Sequence, residues 1–153
     1  MTYLLILFVL ALALAPLVHF IPSRRQREIA RMREYAAVHG LFVEFRSLPG
    51  AARGRHGAAG DADRDCIYYG KRLPPSRAKT VEPPRSWRRD GGEWRPGDRR
   101  SPVPAALVPL PSGVLAASVD EGSCGVYWRE TGGTDTVELI RQALERWAAE
   151  LAA

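Results

Sequence analysis

The chain opens on an apolar run, Tyr3 to Ile21 (YLLILFVLALALAPLVHFI), whose 19 residues include no charged side chain. At a helical rise of about 1.5 Å per residue such a run reaches the roughly 30 Å hydrocarbon thickness of a bilayer, so the pattern predicts one transmembrane helix. Ser23 and Gln26 then stand at capping-box spacing. Ile29, Met32, Ala36 and Val38 recur at helical intervals up to Gly40, which predicts a helix over 24–39. Leu41, Val43 and Phe45 alternate with Phe42, Glu44 and Arg46, the period of a strand.

Beyond this strand the pattern weakens. Residues 47–64 are small, polar and glycine-rich and read as a loop, while Cys66 to Tyr69 forms a short strand candidate ending at Gly70. Prolines recur from Leu73 to Pro111, which excludes long helices and disfavours central strands. Within that stretch SWRRDGGEWR predicts a hairpin turning at Asp90-Gly91, with Arg88 opposite Glu93 and Trp87 opposite Trp94. A second hairpin, folded about Glu121-Gly122, sets Leu115, Ala117 and Val119 against Trp128, Val126 and Cys124. Val137, Ile140, Leu144, Trp147 and Leu151 then mark the apolar face of a C-terminal helix, capped by Thr134 or Asp135, with Asp135 and Glu138 at capping-box spacing. The expected fold is α+β: an N-terminal single transmembrane helix, a juxtamembrane helix, and a small antiparallel sheet with a C-terminal amphipathic helix packed on it. The expected units are an anchor (1–22), the juxtamembrane helix and first strand (23–46), a flexible loop (47–64) and a small α+β domain (65–153) containing a Pro/Arg/Trp-rich segment (71–111). No internal repeat is visible.

Charge gives the anchor an orientation. Arg24, Arg25, Arg27, Arg31 and Arg33 follow the apolar run, and no basic residue precedes it. Such a bias places the N-terminus outside and the rest of the chain in the cytoplasm, as a single-pass protein of the inner membrane. A cleaved signal peptide fits less well, because the first residues carry no Lys or Arg and Pro16 would directly follow an Ala13-Leu14-Ala15 cleavage site. A cytoplasmic domain would keep Cys66 and Cys124 reduced. Charge is also uneven further on: residues 46–100 hold 14 basic against 7 acidic side chains, residues 101–153 only 3 against 7.

Candidate chemistry is sparse. The two cysteines lie 58 positions apart and belong to no C-x-x-C pair, so the spacing predicts neither a metal site nor a cofactor. Cys124, on an apolar strand face, reads as a buried hydrophobe. Cys66 and His56 are the nearest thiol and imidazole, but His56 sits in the glycine-rich loop, which cannot by itself hold a base in place. Asp61, Asp63 and Asp65 alternate like calcium ligands without the glycine and distal glutamate a calcium loop needs. No catalytic set converges, and a non-enzymatic protein is expected. The contact candidates are therefore basic and aromatic: Arg24, Arg25, Arg27 and Arg31 beside the anchor, and Trp87, Arg88, Arg89, Trp94 and Arg95 in the middle segment. Expected partners are the membrane, anionic lipid headgroups and an unidentified protein. Arginines interleaved with tryptophans can also take single-stranded nucleic acid, which makes a tethered nucleic-acid or lipid-binding module over 85–100 the alternative, with nucleic acid the less favoured ligand.

An apolar helix, the basic stretch Pro22-Ser23-Arg24-Arg25-Gln26-Arg27, a short helix and a β segment together resemble the small accessory membrane subunit of the bacterial preprotein translocase. The resemblance is one of layout and covers about the first 45 residues. It departs where LFVEFRSLPG and the long Pro/Arg/Trp-rich region replace a glycine-rich β segment, so no functional residue is carried over. In layout the chain is also similar to small membrane proteins of Gram-negative bacteria. Accordingly, the leading expectation is a single-pass inner-membrane protein with a cytoplasmic adaptor or assembly domain, and a translocase accessory role is a minor alternative.

Overall fold

The computed structural model describes residues 2–18, 22–49, 66–75, 84–98 and 101–152. The predicted glycine-rich loop, apart from 47–49, lies outside them, as do His19, His56, Asp61, Asp63 and Asp65. Helix α1 is Thr2–Val18, 17 residues, and thus about 25 Å long at 1.5 Å per residue. That falls short of the roughly 30 Å hydrocarbon layer. Among the described residues no helix is long and apolar enough to cross a membrane. This finding corrects the transmembrane helix, the single-pass membrane character and the inner-membrane, N-out and cytoplasmic placement that the apolar run had predicted. The predicted span runs through Ile21, whereas α1 is described over Thr2–Val18, and residues 19–21 lie outside the described residues.

The rest of the described chain is α+β. Helix α2 (Arg24–Val38) starts at Ser23 with the predicted capping box in place: the Ser23 hydroxyl accepts from the Gln26 N–H, and the Gln26 side chain accepts from the Ser23 N–H. Six strands follow: β1 (Phe42–Glu44), β2 (Ile67–Arg72), β3 (Arg85–Asp90), β4 (Glu93–Pro96), β5 (Val114–Val119) and β6 (Ser123–Trp128). They form one antiparallel sheet in the order β1-β2-β6-β5-β3-β4. Helix α3 (Gly133–Ala152) completes the fold.

Both α2 and α3 pack on one face of the sheet. There Met32 and Ala36 of α2 and Val137, Ile140, Leu144 and Trp147 of α3 join Tyr69, Trp87, Ala117, Val119, Cys124, Val126 and Trp128 in the main core. Trp87 meets Trp147 edge to face, ring centroids 5.4 Å apart, the arrangement the aromatic quadrupole favours. The opposite face holds a second cluster of Leu48, Cys66, Tyr68, Ala116 and Tyr127. Gly70 and Gly125 pair across β2 and β6. A Cβ added at Gly125 would run into the Tyr68 ring and come within 2.6 Å of the Tyr69 carbonyl, so glycine is what lets the ring lie flat across the strands.

Two predicted registers change. The β3–β4 hairpin turns at Gly91-Gly92, with Asp90 opposite Glu93, Arg89 opposite Trp94 and Trp87 opposite Pro96. Both glycines adopt positive φ, 59° and 93°, which a tight two-residue hairpin turn requires and an Asp-Gly turn would impose on Asp90. In the second hairpin Val119 and Ala117 face Cys124 and Val126 as predicted, but an irregularity between Val114 and Ala116 puts Val114, not Leu115, opposite Trp128. Leu115 then turns to the second cluster. Helix α3 begins at Gly133, ahead of both predicted caps, and Glu138 is engaged by Arg141, Gln142 and Tyr35.

Candidate functional site

Four elements converge on one cleft. Arg25, Ile29 and Arg33 are spaced four apart on α2 and so share a stripe of the helix. Phe45 follows β1, Ile67 opens β2, and Arg129 and Glu130 follow β6. The sheet register brings these together: Ile67 lies opposite Trp128, next to Arg129, and Glu44 lies opposite Tyr68, so the chain beyond each pair meets at the same end. The cleft is shallow and open to solvent, with about 470 Å³ of accessible space.

Its floor is a buried polar knot. Glu130 is only 7% exposed. Its Oε1 accepts from Arg33 Nε at 2.7 Å and from the Tyr69 hydroxyl at 2.9 Å, and its Oε2 accepts from Arg33 Nη2 at 2.7 Å. The fork of a guanidinium on a carboxylate is the strongest ion-pair geometry available to side chains. Hydrogen bonding to Glu130 raises the Arg33 pKa further above its ordinary value. Burial, helped by the neighbouring Glu130 carboxylate, pushes the Tyr69 hydroxyl far above the usual phenol range. Glu130 also has a backbone φ of 51°, a left-handed conformation that L side chains adopt only at a cost of about 1 kcal/mol. The chain accepts that cost where it leaves β6 and must swing the carboxylate inward beneath α2.

The rim differs in character. Phe45 is 84% exposed, with the Arg33 guanidinium carbon 5.8 Å from its ring centroid. Ile29 is half-buried and Ile67 buried, which makes the walls apolar. Arg25 and Arg129 are exposed, and neither has an ion-pair or side-chain hydrogen-bond partner among the described residues. Three guanidinium groups against one carboxylate leave the cleft with net positive charge, set between apolar walls.

Of the predicted contact residues, Arg25 alone reaches this cleft. Arg24, Arg27 and Arg31 are exposed elsewhere along α2. The tryptophans are used internally: Trp87 is 1% exposed and donates its Nε1–H to the Pro102 carbonyl, and the half-buried Trp94 donates to the Leu107 carbonyl. Arg89 donates to the carbonyls of Gly92, Leu110 and Pro111 and lies over the Trp94 ring. Arg95 pairs with Asp90, and Arg88 is exposed opposite it on β3. The two tryptophans and Arg89 thus brace the β3–β4 hairpin against the 102–111 segment. Cys124 is buried in the main core and burial pushes its thiol up to about 12; it and the buried Cys66 are not in a disulfide. The His39 ring stacks on Tyr35 at the end of α2. Among the described residues no three His, Cys, Asp or Glu side chains gather as a metal site would need.

Sequence reading passed over Arg33, Phe45, Ile67, Arg129 and Glu130. The four-residue spacing of Arg25, Ile29 and Arg33 was a usable signal for a shared stripe. Nothing in the sequence couples Arg33 to Glu130, 97 positions away. Set beside models of protein families, curated proteins and solved structures, the chain matches none of them.

Proposed function

We propose that the protein is a non-enzymatic binding module, an adaptor that holds an acidic segment of a protein partner in the cleft between α2, β1, β2 and the β6–α3 connection. The observation that carries this reading is the pairing state of the arginines. Glu130 engages Arg33 and thereby fixes the floor, while Arg25 and Arg129 stand on the rim with no carboxylate partner among the described residues. Arginine is suited to this role because its fork binds carboxylates bidentately and stays charged at every accessible pH. The apolar walls supply the hydrophobic contact that a bare charge pair lacks, since an exposed ion pair alone contributes about 0–1 kcal/mol.

The test is a titration of the full chain with fluorescent peptides containing two or three glutamates next to a leucine or phenylalanine. Binding should weaken as salt rises, and Arg25→Ala with Arg129→Ala together should reduce it by at least about tenfold, the loss of one charge-assisted contact. Absence of binding at low salt, or affinity unchanged in the double variant, rejects the reading.

A further inference from the structure

Resting on that reading, we infer that the part of the acidic segment the cleft prefers is its C-terminal residue, an apolar side chain with its free α-carboxylate, over an internal acidic side chain. Three features of the cleft define three features of the ligand. Arg25 and Arg129 present donors that no side chain among the described residues engages, which call for a carboxylate. Ile29, Phe45 and Ile67 line the same space, which calls for an apolar group close to that carboxylate. Glu130 supplies the third requirement. A carboxylate offers about four acceptor positions; Arg33 and Tyr69 fill two on Oε1 and one on Oε2. One position on Oε2 has no donor among the described residues, and because Glu130 lines the cleft, that position is available to one ligand N–H.

An α-carboxylate, an amide N–H and a side chain meet on a single carbon at the end of a polypeptide, and at no internal residue. An internal glutamate brings its carboxylate on a flexible arm, away from any apolar group of its own. A free amino acid would bring an ammonium group instead of an amide, and the excess of arginine over glutamate in the cleft disfavours that added positive charge. The volume of about 470 Å³ suits the last residue and part of the one before it. Capture of a terminal carboxylate is a known mode of peptide recognition; here guanidinium groups take the place that backbone amides often fill.

The experiment uses the full chain and three fluorescein-labelled heptapeptides: one of glycine, serine and one glutamate ending in a free leucine, the same peptide as its C-terminal amide, and an amide with two further internal glutamates. The free acid should bind at least about tenfold more tightly than its amide. Arg25→Ala and Arg129→Ala should each shrink that ratio, and Arg25→Lys should restore part of it. Equal binding of the free acid and its amide overturns the terminal-carboxylate inference, and tight binding of the glutamate-rich amide would then keep the acidic-segment reading alone. If no peptide binds at low salt, both fail. Competition by free leucine at the affinity of the peptide overturns the inference in favour of an amino-acid site, and binding of phosphatidylserine vesicles with the same arginine dependence, without peptide binding, overturns it in favour of a lipid headgroup.

Discussion

Glu130 concentrates two opposed effects in one residue: a carboxylate with three strong donors and a backbone that a side chain disfavours. Their separation is measurable. Glu130→Ala removes the hydrogen bonds, keeps the left-handed strain and leaves the buried Tyr69 hydroxyl without its acceptor, at a cost of about 2–3 kcal/mol. The loss is held to that range because the Arg33 side chain, 37% exposed, can recover water. Glu130→Gly loses the same bonds but relieves the φ strain, so it should be less destabilising than the alanine variant by about 1 kcal/mol. Urea unfolding of both variants decides; an equal loss means the backbone at 130 is not strained. Cys124 gives a second residue-scale outcome. The cytoplasmic setting expected to keep Cys124 reduced followed from a transmembrane anchor, and no described helix is long and apolar enough to be one. Burial protects the thiol instead, having pushed it up to about 12. Iodoacetamide at pH 8 should leave Cys124 unmodified in the native protein and alkylate it in urea, as read by mass spectrometry. Because the folded state holds the proton after the unfolded thiol has lost it near pH 9, the Cys124 contribution to stability falls as pH rises from 9 towards 12.

At the scale of elements, the β3–β4 hairpin shows how turn chemistry and burial set register together. A turn at Gly91-Gly92 puts both positive φ angles on glycine and leaves Trp87 on the core face against Trp147. Gly92, at φ 93°, lies beyond the left-handed region that asparagine tolerates, whereas Gly91, at 59°, lies inside it. Gly91→Asn should therefore be nearly neutral, and Gly92→Ala should cost about 1 kcal/mol more in thermal unfolding. Equal effects would mean that the two positions are not conformationally distinct. Legibility follows the range of the interactions. The α2 capping box, the apolar face of α3 and the Val119/Cys124 register depend on neighbours a few residues away and could be read from spacing. The β3–β4 register could not, because an apparent Trp87/Trp94 pair across the strands concealed the fact that Trp87 has a better partner 60 positions on, in α3. Val114 replaced Leu115 opposite Trp128 through an irregularity that no alternation of residues announces. The cleft was least legible of all, since its floor is made by Arg33 of α2, Tyr69 of β2 and Glu130 after β6, and only the four-residue spacing of Arg25, Ile29 and Arg33 on α2 carried a local signal.

Across the whole molecule, carboxylates tie the elements to one another, and this makes acid the condition that loosens the fold. Glu138 of α3 receives Arg141, Gln142 and the Tyr35 hydroxyl of α2 at 2.7–2.9 Å, and these donors hold its pKa well below the usual carboxylate range. Asp120, at the β5–β6 turn, is pushed up by burial but lowered overall by hydrogen bonds from the Gly122 and Ser123 N–H groups, the Ser123 hydroxyl and Arg46, which joins the turn to the chain after β1. Glu145 of α3 is likewise lowered, with burial overridden by Arg141 and by Lys71 of β2. In each case the folded pKa lies below the unfolded one, so the unfolded chain binds more protons as pH falls, and the contribution is complete above about pH 5 and lost below it. Protonation also adds to the excess of basic side chains, 22 against 17 acidic in the whole chain, and so raises self-repulsion in the compact state. The unfolding temperature should fall steadily from pH 5 to pH 2. Glu138→Gln, which keeps the shape but not the charge, should lower it at pH 5, and the gap to the parent curve should narrow as pH falls towards 2, because protonation of the unfolded carboxylate progressively removes the advantage of the folded, still ionised one. A variant curve that runs parallel to the parent over that range would mean that Glu138 does not link α3 to α2 through its charge, and that acid acts on the fold through other groups.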